Sequence, residues 1–108
     1  VLKLIQLSIT HITGRSMLYH LTCGRNTPSG YVEDIDWEMY CREGLDVYFD
    51  GYTVYDAVGT WKSQPEETKV VLINTDDRLG IDAVIDIYKD MFDQDAVGLF
   101  TTPSMEFI

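Results

Sequence analysis

Residues 17–23 alternate, with Met17, Tyr19, Leu21 and Cys23 set against Leu18, His20 and Thr22, and this period of two predicts a first strand. The loop-forming run GRNTPSG follows at 24–30. Residues 34–45 are expected to be helical, with Ile35, Met39 and Arg42 on one face, Trp37, Tyr40 and Cys41 nearby, and Gly44 near the end. Alternation returns over 51–61, with Tyr52, Val54, Asp56 and Val58 against Thr53, Tyr55 and Ala57. A polar loop is expected at 62–68, before a third strand at 69–74. Thr75 or Asp76 can then cap a helix running to about Phe92. Its apolar residues, Ile81, Val84, Ile85, Tyr88, Met91 and Phe92, recur at steps of three and four. A fourth strand is expected over 96–101.

The order from residue 17 is therefore strand, helix, strand, strand, helix, strand. That is the α+β, ferredoxin-like βαββαβ sandwich, a four-stranded antiparallel sheet with two helices on one face. Nothing in residues 17–108 is left over to cover the second face of the sheet, yet strand residues pointing both ways are apolar or aromatic. An apolar face of that kind predicts assembly. A trimer packing three sheets inward, as in PII-type signalling proteins, would bury it and would build sites between subunits.

The 108 residues are sufficient for one domain, and 45% hydrophobic with 24% charged residues is ordinary for a globular protein. The net charge of -10 changes the picture more, because such a surface repels nucleic acid and anionic membranes and is compatible with a cationic ligand. Cys23 and Cys41 are too few for a disulfide framework and read as reduced thiols of a cytoplasmic protein. No apolar run is long enough to span a bilayer, and a signal peptide is not expected. The first sixteen residues, VLKLIQLSITHITGRS, precede what reads as a fresh start at Met17. They are expected to be an extension of the 17–108 domain, added in cloning or else folded as an extra edge strand.

Most conventional chemistry finds no pattern here. His11 and His20 have no ligand-like neighbours, so no metal site is expected. No Ser, Cys or Thr sits in a nucleophile motif, and NTDDRLGID has the wrong carboxylate spacing for a calcium loop. Arg25, in TCGRNTPSG, could meet an anionic group, but the spacing is that of no phosphate loop. What remains is polar atoms at Tyr55 and Asp56 inside a strand, and Trp61, Glu66 and Glu67 around the expected loop. An aromatic ring with carboxylates suits a cation that carries a flat ring. Tyr55 lies some six residues deeper and would reach the same ligand only across a subunit boundary or along a long cleft.

The run GTWKSQPEETKVVLI (59–73), followed by a helix and DQDAVGLF (93–100), resembles the phage-encoded enzymes that degrade S-adenosylmethionine (SAM), formerly called SAM hydrolases and now regarded as SAM lyases. Gly59, Trp61, Lys62, Pro65, Glu67, Lys69, Gln94 and Asp95 stand at matching positions, and the likeness covers about residues 51–100. The acidic pair is displaced by one: Glu67 matches a Glu, Glu66 does not, and Thr68 stands where a second Glu would be.

The resemblance implies a homotrimer of GlnB-like sandwiches with active sites between subunits, no cofactor, and SAM as the small-molecule partner in the cytoplasm of an infected bacterium. It implies cleavage of SAM to 5′-methylthioadenosine and homoserine lactone, which starves restriction-modification of its methyl donor. The substrate carboxylate attacks its own γ-carbon, so neither an activated water nor a protein nucleophile is required; folding the methionyl chain is what matters. Positive charge leaves sulfur as the reaction proceeds, so a carboxylate paired to sulfur would stabilise the ground state. Glu66 or Glu67 is expected instead at the ribose hydroxyls or the α-ammonium, Tyr55 along the methionyl chain, and Trp61 near the adenine. Two alternatives stand beside the lyase. One is a PII-like trimeric binding or signalling module without catalysis, and the other is a hydrolase giving homoserine.

Overall fold

The computed structural model describes residues 16–108. Residues 1–15 of the expected extension lie outside the described residues. Strand β1 (Met17–Gly24) is followed by two short strands, β2 (Asn26–Thr27) and β3 (Gly30–Tyr31). Helix α1 (Asp34–Tyr40) runs through a π-helical turn (Cys41–Leu45) into a last short turn, α2 (Asp46–Tyr48). Strands β4 (Thr53–Trp61) and β5 (Gln64–Thr75), helix α3 (Arg78–Phe92) and strand β6 (Gly98–Pro103) complete the chain. The sheet order is β4-β5-β1-β6, with every pair antiparallel. This is the expected ferredoxin-like α+β arrangement, with a small β2–β3 hairpin inserted after the first strand.

Alternation assigns the two faces of the sheet. Tyr19, Leu21, Cys23, Val71 and Ile73 are buried against the helices, whose own contribution is Trp37, Tyr40, Leu45, Ile81, Val84, Tyr88 and Phe92. Four of these rings interlock: Tyr88 meets Tyr40 edge-on at 5.0 Å and Phe92 at 4.9 Å, and Trp37 lies 5.2 Å from Tyr40. On the opposite face lie Leu18, His20, Tyr55, Val70, Leu72 and Phe100, with His20 stacked on Phe100 at 4.2 Å. No helix covers that face among the described residues.

The face of α1 differs from expectation. Ile35 is 72% exposed, and the buried row is Trp37, Tyr40, Gly44 and Leu45. The widened π turn re-aims the helix so that Gly44 passes against the Tyr40 ring, where an added Cβ would come within 3.0 Å of it. The cap of α3 also differs. Asp77, rather than Thr75 or Asp76, accepts the Gly80 amide at 2.9 Å, and Thr75 accepts the Asp77 amide one step earlier. Burial in apolar surroundings pushes the Cys23 thiol up to about 12, and both described cysteines are free thiols.

The largest correction concerns the expected loop at 62–68. Gln64 already pairs with Trp61, so β4 and β5 form one long hairpin closed by Lys62 and Ser63 alone. Both turn residues take positive φ, 50° and 63°, as a two-residue turn of primed type requires. Neither residue favours that conformation as Asn or Gly does. Replacing the pair by Asn-Gly is therefore expected to stabilise the protein by about 1 kcal/mol, read as a higher midpoint in urea with an unchanged slope.

Candidate functional site

Moving Glu66 and Glu67 from a loop into β5 gives them different surroundings, because neighbours in a strand face opposite ways. Glu66 lies on the open-face side of the strand end. Its carboxylate rests over Gly24, where an added Cβ would approach within 2.6 Å, and accepts the Asn26 amide at 3.1 Å. The carbonyl of the same Asn26 accepts a hydrogen bond from Gln94 Nε2 at 2.7 Å. Gln94 reaches it because Asp93, in a left-handed conformation, ends α3 and turns the chain. Glu66 and Gln94 thus clasp residue 26 and hold the base of the β2–β3 hairpin.

Glu67 faces the helix side and lines a shallow cleft of about 240 Å³ with Arg25, Asp56, Ala57, Val58 and Thr68. Tyr31 donates its phenolic hydrogen to Glu67 Oε2. That bond, and the negative charge beside it, hold the Tyr31 phenol above the usual tyrosine range. Arg25 is buried. Its Nε donates to the Val32 carbonyl at 2.8 Å, its Nη2 to Asp34 at 3.0 Å, and its guanidinium lies 4.6 Å from the Tyr31 ring centre. Burial opposes the Arg25 charge, but the Asp34 hydrogen bond, the Tyr31 oxygen and the Asp34 and Glu67 carboxylates outweigh it. Deeper along the strand, Lys69 meets Asp56 at 2.7 Å and packs 5.8 Å from the Trp37 ring, and it holds the Asp56 carboxyl below its ordinary range.

The four residues singled out from sequence do not converge within one chain. Tyr55 pairs with Val70 and is 48% exposed on the open face, three strand positions from Glu67, or about 10 Å. Trp61 is 69% exposed beside the hairpin turn, on that same opposite face. Only Glu67 lines the cleft, and Glu66 is occupied with residue 26. Sequence reasoning missed Tyr31 and underrated Arg25. The available signal was the turn-rich run 24–30, which holds Arg25 and is followed by Tyr31, but Glu67, which accepts from the Tyr31 phenol and the Arg25 amide, lies 36 and more positions away in the chain.

Chemically, the cleft offers one carboxylate fixed by a phenol, a second carboxylate paired to Lys69, and a guanidinium committed to the loop. It can hold a small polar ligand carrying a positive group. Comparison with curated proteins and with solved structures gave no match. A family model does match residues 18–107, which takes in every element described above apart from the first residue of β1. The chain belongs to the DUF3574 family, described as a protein of unknown function.

Proposed function

We propose that the protein cleaves SAM to 5′-methylthioadenosine and homoserine lactone, in the cytoplasm of an infected bacterium, with Glu67 as the carboxylate that anchors the substrate. The observation that carries this reading is the placement of Glu67. It is the glutamate that matches the resemblance, and it lines the cleft while Glu66 is engaged elsewhere. In the reaction, the substrate carboxylate oxygen forms a bond to the γ-carbon as the carbon–sulfur bond breaks, and the electron pair stays on the departing thioether. No proton has to move. Glu67 is assigned the α-ammonium or the ribose hydroxyls, which keep their character through the reaction, rather than the sulfonium, which does not.

Tyr55 and Trp61 face the other side of the sheet, so they join this site only from a neighbouring subunit. The proposal therefore includes a homotrimer that brings one subunit's open face to another's cleft. The exposed aromatic and apolar residues of that face support assembly.

The test is incubation of the protein with SAM and chromatography for methylthioadenosine, with proton NMR of the fresh product to separate lactone from open homoserine. Wild type is expected to release both methylthioadenosine and lactone. Glu67→Gln is expected to lose about 100-fold in kcat/KM, while Glu66→Gln stays within about 10-fold of wild type. Full activity in Glu67→Gln overturns the assignment. Binding of SAM without product points to the PII-like module, and homoserine in the fresh product points to the hydrolase.

A further inference from the structure

We infer that Tyr31 is a positioning residue for Glu67, tying down one carboxylate oxygen from the β2–β3 hairpin and leaving the other for a ligand. This rests on the reading of Glu67 as the ligand-contacting carboxylate. Among the described residues, the Tyr31 phenol makes the only hydrogen bond to the Glu67 carboxylate. The tyrosine is itself held from several directions. Its ring packs beneath the Arg25 guanidinium, 4.6 Å away, and Arg25 is fixed through the Val32 carbonyl and through its own amide, which donates to the Glu67 carbonyl at 3.0 Å. Directly opposite Tyr31 at the base of the hairpin, Asn26 is clasped by Glu66 on one side and Gln94 on the other. Two residues of the acidic and Gln-Asp motifs thus serve the hairpin, and the hairpin serves Glu67.

The physical reason for such an arrangement is the freedom of an exposed glutamate. A free Glu samples many rotamers, and ordering it when a ligand arrives weakens binding. A phenol that holds one oxygen orders the side chain during folding, so the second oxygen meets the substrate already aimed. A direct contact of Tyr31 with substrate is not needed for this role.

The link can be read without any substrate. Tyr31 is surrounded by the Arg25 guanidinium and the Glu67 and Asp34 carboxylates. Its ionisation is measured by ultraviolet absorbance as the difference between wild type and Tyr31→Phe, which removes the background of the other six tyrosines. The same difference is then taken in a Glu67→Gln background and in a Gln94→Ala background. Tyr31 is expected to ionise above the ordinary tyrosine range in wild type and at lower pH in both backgrounds. In turnover of SAM, Tyr31→Phe is expected to lose about 10-fold in kcat/KM, and Tyr31→Phe combined with Glu67→Gln is expected to be no worse than Glu67→Gln alone. Identical Tyr31 ionisation with and without the Glu67 carboxylate overturns the inference, and so does a double variant whose losses multiply. A wild type that shows the coupling but leaves SAM intact overturns the SAM reading and upholds the positioning of Glu67.

Discussion

Tyr88→Ala is expected to cost about 4 kcal/mol, the range for deleting a large buried aromatic side chain. The ring is fully buried and packs edge-on against Tyr40 and Phe92, so its loss opens a cavity between α1 and α3. Its hydroxyl also donates to the Gly24 carbonyl at 2.7 Å, directly before Arg25. Tyr88→Phe keeps the ring and removes that bond, and is expected to cost about 1 kcal/mol. Urea unfolding separates the two. A domain with 5–15 kcal/mol of total stability in round numbers is brought close to unfolding by the first change and not by the second. Equal costs for Phe and Ala would mean that the hydroxyl, rather than the ring, holds this part of the core together.

Arg25→Ala is expected to be the next most damaging change, at about 3 kcal/mol. The buried Nε bond to the Val32 carbonyl and the stacking on Tyr31 supply most of this, because Asp34 is so exposed that its ion pair contributes little. Arg25→Lys is expected to recover less than half of the loss. An ammonium cannot reproduce the fork that reaches Val32 and Asp34 together while lying flat on a ring. The midpoint in urea reads the loss, and a lysine variant as stable as wild type would show that charge alone is needed. The same substitution removes a support of Tyr31, so it is expected to lower SAM turnover by more than its effect on stability explains.

The fold was legible because its signals are long. Two alternating strands, the apolar run at the third and the apolar row of α3 extend over enough residues to be read, and the order of elements then points to one arrangement. The start of β5 was not legible. Gln64–Thr68 is polar because it lies near the hairpin end, and Lys62-Ser63 lacks the Asn-Gly signature of a tight turn, so five strand residues read as loop. The buried face of α1 was misread because Ile35, Met39 and Arg42 recur at helical steps just as Trp37, Tyr40 and Gly44 do, and only the packing of the Trp37 and Tyr40 rings decides between the two faces. The β2–β3 hairpin has two residues in each strand, too few to alternate. For the candidate site, residue types singled out Glu66 and Glu67 but not their different surroundings. The Tyr31–Glu67 and Gln94–Asn26 bonds join positions 36 and 68 apart, and nothing local announces them.

The tight closure of the β4–β5 hairpin has an evolutionary consequence. The side each glutamate faces is counted from the core positions Val71 and Ile73: residues added between the turn and Glu66 lengthen the hairpin and leave both glutamates where they are, whereas a single residue added between Glu67 and Val70 exchanges them. A relative whose acidic pair is offset by one position along the strand is then either a protein in which the neighbouring glutamate faces the cleft, or one that carries a compensating bulge. Alignments of this family are accordingly better judged by which side of the sheet an acid faces than by how far it stands from the preceding proline.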